Sequence, residues 1–368
     1  MGSALKARDR RDFLKAAGAG IAVLSATAGA AHAQTQAVAP AAGARASRLS
    51  GADNFYQSAQ VDIAKVRFPT QYGLQVSGNL IRSRRRATDA RLPAIIVGHP
   101  MGAVKEQSSM LYAQKLAEQG FATLAIDLPY WGESEGGTRN LVAPELYTEA
   151  FSAAVDFLGN RTGIAREHIG VLGICGSGGF ALSAAKIDPR LKAIATVSMY
   201  DMGAVTRAGL GQSQSLTQRQ ALLAKAADQR WVQAATGKHE FLNYLPLQWP
   251  TDANPVTREF WDFHRTARGI AIPAGRTLEP TQNRMLTSEV RFMNFYPFQD
   301  LELIAPRPLL FIAGDQAHSR EFSETAHRLA PGPKELLWVP GAGHVDLYDR
   351  TDLIPWAQLT EFFTRHLA

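Results

Sequence analysis

An α/β chain with a mostly parallel, doubly wound sheet is predicted by three observations. Apolar runs at 91–97, 121–126, 169–174, 191–198, 307–313 and 335–339 have strand length and little polar alternation, as in strands buried on both faces. Helical patterns at 105–119, 144–158, 180–186, 320–329 and 353–367 alternate with them. Each crossover then lays a helix on one face of a shared sheet.

The elements follow in order. Residues 61–68 and 74–82 flank Pro69-Thr70-Gln71-Tyr72-Gly73, a hairpin signal. The 91–97 strand runs straight into Gly98-His99-Pro100-Met101-Gly102. Gly120 stops the 105–119 helix, and Pro144 opens the 144–158 helix, where its missing N–H costs nothing. After Asp201 the rhythm breaks. Residues 202–299 contain helical stretches, six prolines and the aromatics Trp231, Trp249, Phe260, Trp261, Phe292 and Phe295, with no buried strand pattern. That is too long for a plain loop. It reads as a mostly helical cap inserted into a core of 56–201 and 300–368. Its aromatics either line a pocket or form the cap's own interior.

The N-terminus has a separate job. Arg10 and Arg11 precede an Ala-rich apolar run that ends in Ala31-His32-Ala33, a small-x-small cleavage pattern. Residues 1–33 therefore read as a twin-arginine (Tat) export signal, and 34–55 as a flexible leader. The expected partner during export is the Tat translocase, and the expected location is periplasmic or secreted. The apolar run is short for a membrane span. Of the net charge of +6, about half lies in this signal. The remainder offers no footprint for nucleic acid, and the one basic cluster, Arg82 to Arg86, sits at a hairpin end. The single cysteine, Cys175, excludes an intramolecular disulfide. No His/Cys/Asp cluster has metal-ligand spacing, so neither a metal nor a cofactor is expected.

Chemistry concentrates at 168–180, His-Ile-Gly-Val-Leu-Gly-Ile-Cys-Gly-Ser-Gly-Gly-Phe. A buried strand runs into a cluster of small residues and then a helix. That is the context of a nucleophile elbow, in which a tight turn holds a side chain clear of the sheet above a helix N-terminus. Cys175 at the elbow has Gly173 at −2 and Ser177 at +2, and it leaves a six-residue strand before it. Ser177 is the rival nucleophile, with Cys175 and Gly179 as its small neighbours. Strand register favours Cys175.

Two later turns complete the pattern. Gly314-Asp315 follows the 307–313 strand, and Gly341-Ala342-Gly343-His344-Val345-Asp346-Leu347-Tyr348-Asp349 follows the last strand. Nucleophile, acid, histidine in that order resembles the α/β-hydrolase superfamily. The Gly-x-Cys-x-small elbow, Ser198-Met199-Tyr200-Asp201-Met202-Gly203 and the His344 turn are similar to the dienelactone-hydrolase branch, in a subgroup related to fungal polyketide acyltransferases. The resemblance implies an α/β-hydrolase fold with a cap. It implies cleavage of an ester, thioester or lactone through an acyl-enzyme, with His344 as base. It places the acid at Asp315, although relatives usually leave a longer gap after the glycine and His318 stands where an acid is common. Asp201 is the rival acid. Backbone N–H groups of Met101 and Gly176 are expected to form the oxyanion hole, since Pro100 has none to offer. His99 is expected to be structural. The same site could serve acyl transfer to an alcohol or amine, and the fold could persist as a silent ligand-binding protein.

Overall fold

The computed structural model describes residues 51–85, 90–249, 251–278 and 281–367. The expected export signal, 1–33, and most of the expected leader lie outside the described residues. Within them, no helix is long and apolar enough to cross a membrane.

The core begins with the expected hairpin, β1 (Val61–Pro69) and β2 (Gln75–Ser83). There follow β3 (Leu92–Gly98), α1 (Ser109–Glu118), β4 (Ala122–Ile126), α2 (Pro144–Gly159), β5 (Ile164–Ile174), α3 (Gly176–Ile187) and β6 (Leu191–Val197). After the insertion come β9 (Leu309–Gly314), α8 (Arg320–Leu329), β10 (Lys334–Val339), the short α9 (Asp346–Asp349) and α10 (Trp356–Leu367). They build one eight-stranded sheet in the order β1-β2-β4-β3-β5-β6-β9-β10. The pairs β1–β2 and β2–β4 are antiparallel, and all other neighbours are parallel. Every residue of β4 and β9 is buried, because helices cover both faces of the sheet.

The first helix starts later than the periodicity predicts, and charge explains why. Lys105 is fully buried, with its backbone N–H and its Nζ each 2.8 Å from the Asp127 carboxylate. Nζ also meets Glu133 at 2.7 Å and Glu106 at 2.8 Å. A buried ammonium needs such partners, and reaching them holds 105–108 in a turn. Helix α1 therefore begins at Ser109.

The insertion is largely helical: α4 (Met202–Ala208), α5 (Leu216–Thr236), α6 (Pro255–His264) and α7 (Leu286–Glu289), with a two-residue pairing of β7 (Phe241–Leu242) and β8 (Arg284–Met285). Helix α5 opens with a reciprocal capping box between Ser215 and Gln218 and ends at Gly237 in the left-handed conformation. The aromatics divide as residue-level packing dictates. Trp249 and Trp261 pack edge to face at 4.8 Å. Phe292 and Phe295 pack on Phe180 of α3. Trp231 is 79% exposed and belongs to neither the cap interior nor a pocket. Only Phe260, of those six, packs its ring on that of His344.

Candidate active site

The strand β5 ends at Ile174 and α3 starts at Gly176, so Cys175 alone forms the turn between them. Its backbone sits at φ 54°, ψ −121°, a strained conformation for a residue with a side chain. Small neighbours are a steric demand here. A Cβ on Gly173 would come within 2.3 Å of the Ser177 carbonyl oxygen, and one on Gly178 within 2.6 Å of Met199. The N–H groups of Gly176 and Met101 both lie close enough to the Cys175 sulfur to favour its thiolate. Thus the two amides expected to form an anion site converge on the thiol.

Ser177 faces the other way. It is fully buried in the first turn of α3, and its hydroxyl donates to the His99 carbonyl at 2.5 Å. It ties the elbow to the end of β3, beneath the site. His99 is also buried and occupied, as a structural residue would be. Its Nε2 accepts from the Leu128 N–H at 3.1 Å, so Nδ1 carries the proton and donates to the Pro100 carbonyl at 2.8 Å. Together these bonds shape the turn that presents the Met101 N–H.

His344 is fully buried in the turn after β10. Its backbone carbonyl accepts from the Ser198 hydroxyl at 2.8 Å, which anchors the turn to the end of β6. The acid assignment needs correction. Asp315 remains in its own turn, where Oδ1 accepts from the Gly341 N–H at 2.8 Å and from Gln316 at 3.0 Å. It braces the loop leading to His344 without touching the imidazole. Asp201 is the N-cap of α4, accepting from the Ala204 N–H at 2.7 Å. The group on His344 Nδ1 is the Ser319 hydroxyl, at 2.6 Å. The reason is loop geometry: the chain must travel several residues beyond β9 before a side chain can reach the imidazole, and Asp315 is the first residue of that path.

A carboxylate reaches this cluster from the insertion. Glu259 of α6 bonds His318 Nδ1 at 3.1 Å and accepts from the Val345 N–H at 2.7 Å. The His318 ring lies 4.7 Å from that of His344, centroid to centroid. The cap also grips the opposite turn, since Gln282 Nε2 donates to the Gly102 carbonyl. Gln107, in the turn before α1, donates to the Gly269 carbonyl at 2.6 Å. Both site loops are therefore tied to the insertion.

The opposite nitrogen of His344, Nε2, is 2.9 Å from the Tyr348 hydroxyl, and that hydroxyl also lies near enough to the Cys175 sulfur to favour its thiolate. Tyr348, Ser319 and Glu259 carry no role in the sequence reading. Only Tyr348 had a usable local signal. It lies four residues after His344, a spacing that puts two side chains on one face of a helical turn such as α9.

Burial dominates the electrostatics. It pushes the Cys175 thiol up, against the opposing pull of Tyr348 and the two N–H groups. It holds His344 well below the ordinary imidazole range, helped by the neighbouring His318 and His264 rings. It raises Tyr348 well above the ordinary phenol value. The resting site is thus a neutral thiol, phenol and imidazole, able to separate charge when an electrophile arrives. Among the described residues no His, Cys, Asp and Glu side chains cluster as a metal site would require.

Comparison with known proteins places these features. Residues 105–354 match the model of the Alpha/beta hydrolase family. The chain is 45% identical over 316 residues to the uncharacterized protein PA2218 of Pseudomonas aeruginosa, covering 85% of this chain and 83% of that one. The crystal structure of PA2218 superposes with a TM-score of 0.80 at 44% identity, covering 85% of this chain and 97% of that one. A segment of 124 residues is 37% identical to thiohydrolase aneE of Aspergillus aculeatus, covering 34% of this chain and 39% of that protein. Acyltransferase drtE of Aspergillus calidoustus is 22% identical over 78% of this chain and 89% of its own length. The sheet order, the strained turn after β5 and the family match across most of the core lead to one conclusion: the chain belongs to the alpha/beta hydrolase family.

Proposed function

We propose that the protein is an exported hydrolase that cleaves an ester, thioester or lactone through an acyl-enzyme on Cys175. The observation that carries this reading is the strained turn that sets Cys175 against two converging backbone N–H groups. The thiolate attacks the substrate carbonyl, and the N–H groups of Gly176 and Met101 take up the developing oxyanion. His344 accepts the thiol proton and later returns it to the leaving group. For that task Nε2 must be free of hydrogen, so Nδ1–H donates to Ser319. A hydroxyl thus stands where relatives are expected to place a carboxylate. A cysteine tolerates this substitution better than a serine would, because a thiol ionises far more readily than an alcohol.

Thioesters suit this site within the class. Attack by sulfur on a thioester exchanges one carbon–sulfur bond for another. A relative named thiohydrolase points the same way. Acyl transfer is the second reading. Cys175 is 5% exposed and His344 fully buried under the cap, which limits entry of the water that hydrolysis needs. A relative named acyltransferase favours it as well. The export step rests on the twin-arginine pattern of 1–33.

The test is mass spectrometry of the intact chain mixed with short nitrophenyl esters and acyl thioesters. A covalent adduct on Cys175 that decays with release of the acid is the expected result. Decay that speeds up and diverts to ester when an alcohol is added would shift the reading to transfer. Inertness to the whole panel, with no labelling of Cys175 by iodoacetamide, would leave a ligand-binding protein.

A further inference from the structure

We infer that Tyr348 is itself a catalytic residue: its hydroxyl stands between the nucleophile and the base and relays the proton from Cys175 to His344. This deepens the proposed function and rests on Cys175 being the nucleophile.

The geometry argues for it in three steps. First, the nitrogen that must act as base already has a partner. His344 Nε2 is 2.9 Å from the Tyr348 hydroxyl, and the ring centroids are 5.3 Å apart. Second, the same hydroxyl lies close enough to the Cys175 sulfur to favour its thiolate, so the phenol oxygen stands between the sulfur and the imidazole nitrogen. Third, a buried tyrosine with a purely structural role gives its proton to a carbonyl, and this protein contains two such controls. Tyr112 donates to the Leu347 carbonyl at 2.7 Å, and Tyr147 donates to the Leu141 carbonyl at 2.6 Å. Tyr348 instead spends its hydroxyl on the two groups that exchange a proton.

The position is well supported. Tyr112 holds the backbone of α9 through Leu347, and Arg268 of the insertion holds Asp349 at 2.7 Å. The Phe263 ring lies 5.2 Å from that of Tyr348, edge to face. These contacts fix the phenol in place, so the relay needs no conformational search.

The step balances. The S–H bond of Cys175 breaks and its proton forms a new bond to Tyr348 Oη. In concert, the proton already on Oη passes to His344 Nε2. The products are a thiolate, a restored neutral phenol and an imidazolium. In the return direction the imidazolium gives Nε2–H to Oη, and the former Oη proton goes to the leaving group. Because burial holds the phenol protonated, Tyr348 carries protons and does not compete as a base.

The experiment compares wild type, Tyr348→Phe and Cys175→Ala as full chains. One readout is the alkylation rate of Cys175 by iodoacetamide as a function of pH. The other is single-turnover acylation by p-nitrophenyl butyrate. The relay predicts that Tyr348→Phe slows both on the order of 10²-fold near neutral pH, with alkylation recovering at high pH, where the thiol ionises unaided. Unchanged rates and an unchanged pH profile would overturn it. Faster reaction would also overturn it, since the tyrosine would then be a plug. If Tyr348→Phe does not fold, the wild-type acylation rate in mixtures of light and heavy water decides. A bowed dependence, with two protons in flight, is expected, and a straight line rejects the relay. Turnover that survives in Cys175→Ala would instead reject the nucleophile assignment, whatever the tyrosine does.

Discussion

The turn after β5 and the turn after β9 each carry a residue that sequence reasoning selected for catalysis, and they behave differently. At the first, Cys175 is placed by its immediate neighbours. A strand that ends at Ile174, a helix that begins at Gly176 and a glycine at −2 leave one residue to make the bend. At the second, Asp315 has the right residue type and the right place in the chain order, yet it bonds Gly341, and Ser319 occupies the imidazole. Steric constraints act between adjacent residues and can be read locally. A hydrogen-bond partner is chosen by distances across loops, and spacing along the chain does not report those.

The comparison can be broken most directly at the elbow. Cys175→Ala removes the proposed nucleophile and is expected to lower kcat/KM by 10³-fold or more. Ser177→Ala keeps the proposed nucleophile and instead leaves the buried His99 carbonyl without its donor. It should cost about 1–3 kcal/mol of stability in urea unfolding, with activity largely retained at low temperature. Activity that vanishes in Ser177→Ala and survives in Cys175→Ala would reverse the reading of the turn.

A smaller effect is expected at the β9 turn. Ser319→Ala removes the hydrogen bond on His344 Nδ1 and should cost about 10–100-fold in kcat/KM, with KM little changed. Asp315→Asn keeps an acceptor for the Gly341 N–H and should change kcat/KM less than about threefold. Equal losses in the two variants, or a larger loss at Asp315, would restore the carboxylate as the third member.

The last expected effect is on stability at acid pH, away from the elbow and the β9 turn. Burial lowers His264 to about 3, and it also lowers His99 and His344. In the unfolded chain these rings protonate near pH 6.5, while in the folded protein they stay neutral. The unfolded state therefore binds more protons below that value, and stability falls as pH drops from about 6.5 towards 3. His264 contributes a slope of about 1.4 kcal/mol per pH unit within that window, and His99 and His344 add to the loss in the same direction. Scanning calorimetry should show Tm falling steadily between pH 7 and pH 4. A flat Tm would mean that the buried rings are charged in the folded state.

Much of the fold was legible in local pattern. Buried runs such as 121–126 and 169–174 are apolar because both faces are covered, and the structure makes strands of them that end where expected and start one residue later and five residues earlier, respectively. Exceptions trace to long-range charge. The first helix lost its leading turn because Lys105 is held by Asp127, a residue 22 positions away. Phe260 is the aromatic of the six named in the insertion that meets His344. No periodicity distinguishes it from Trp231, which stands in solvent.

By itself the sequence determined where a strand must stop, bend and become a helix, because backbone strain and, at Gly173, the room for a Cβ are settled between near neighbours in the chain. It also supplied a histidine after the last strand. Only the tertiary structure decided what that histidine touches. Ser319 lies 25 positions before His344 and Glu259 lies 59 positions before His318. They converge because the sheet brings β9 and β10 side by side and the insertion folds back over their ends. Hydrogen bonds form at about 3 Å in space, and the separation of two residues along a folded chain places no useful bound on that distance.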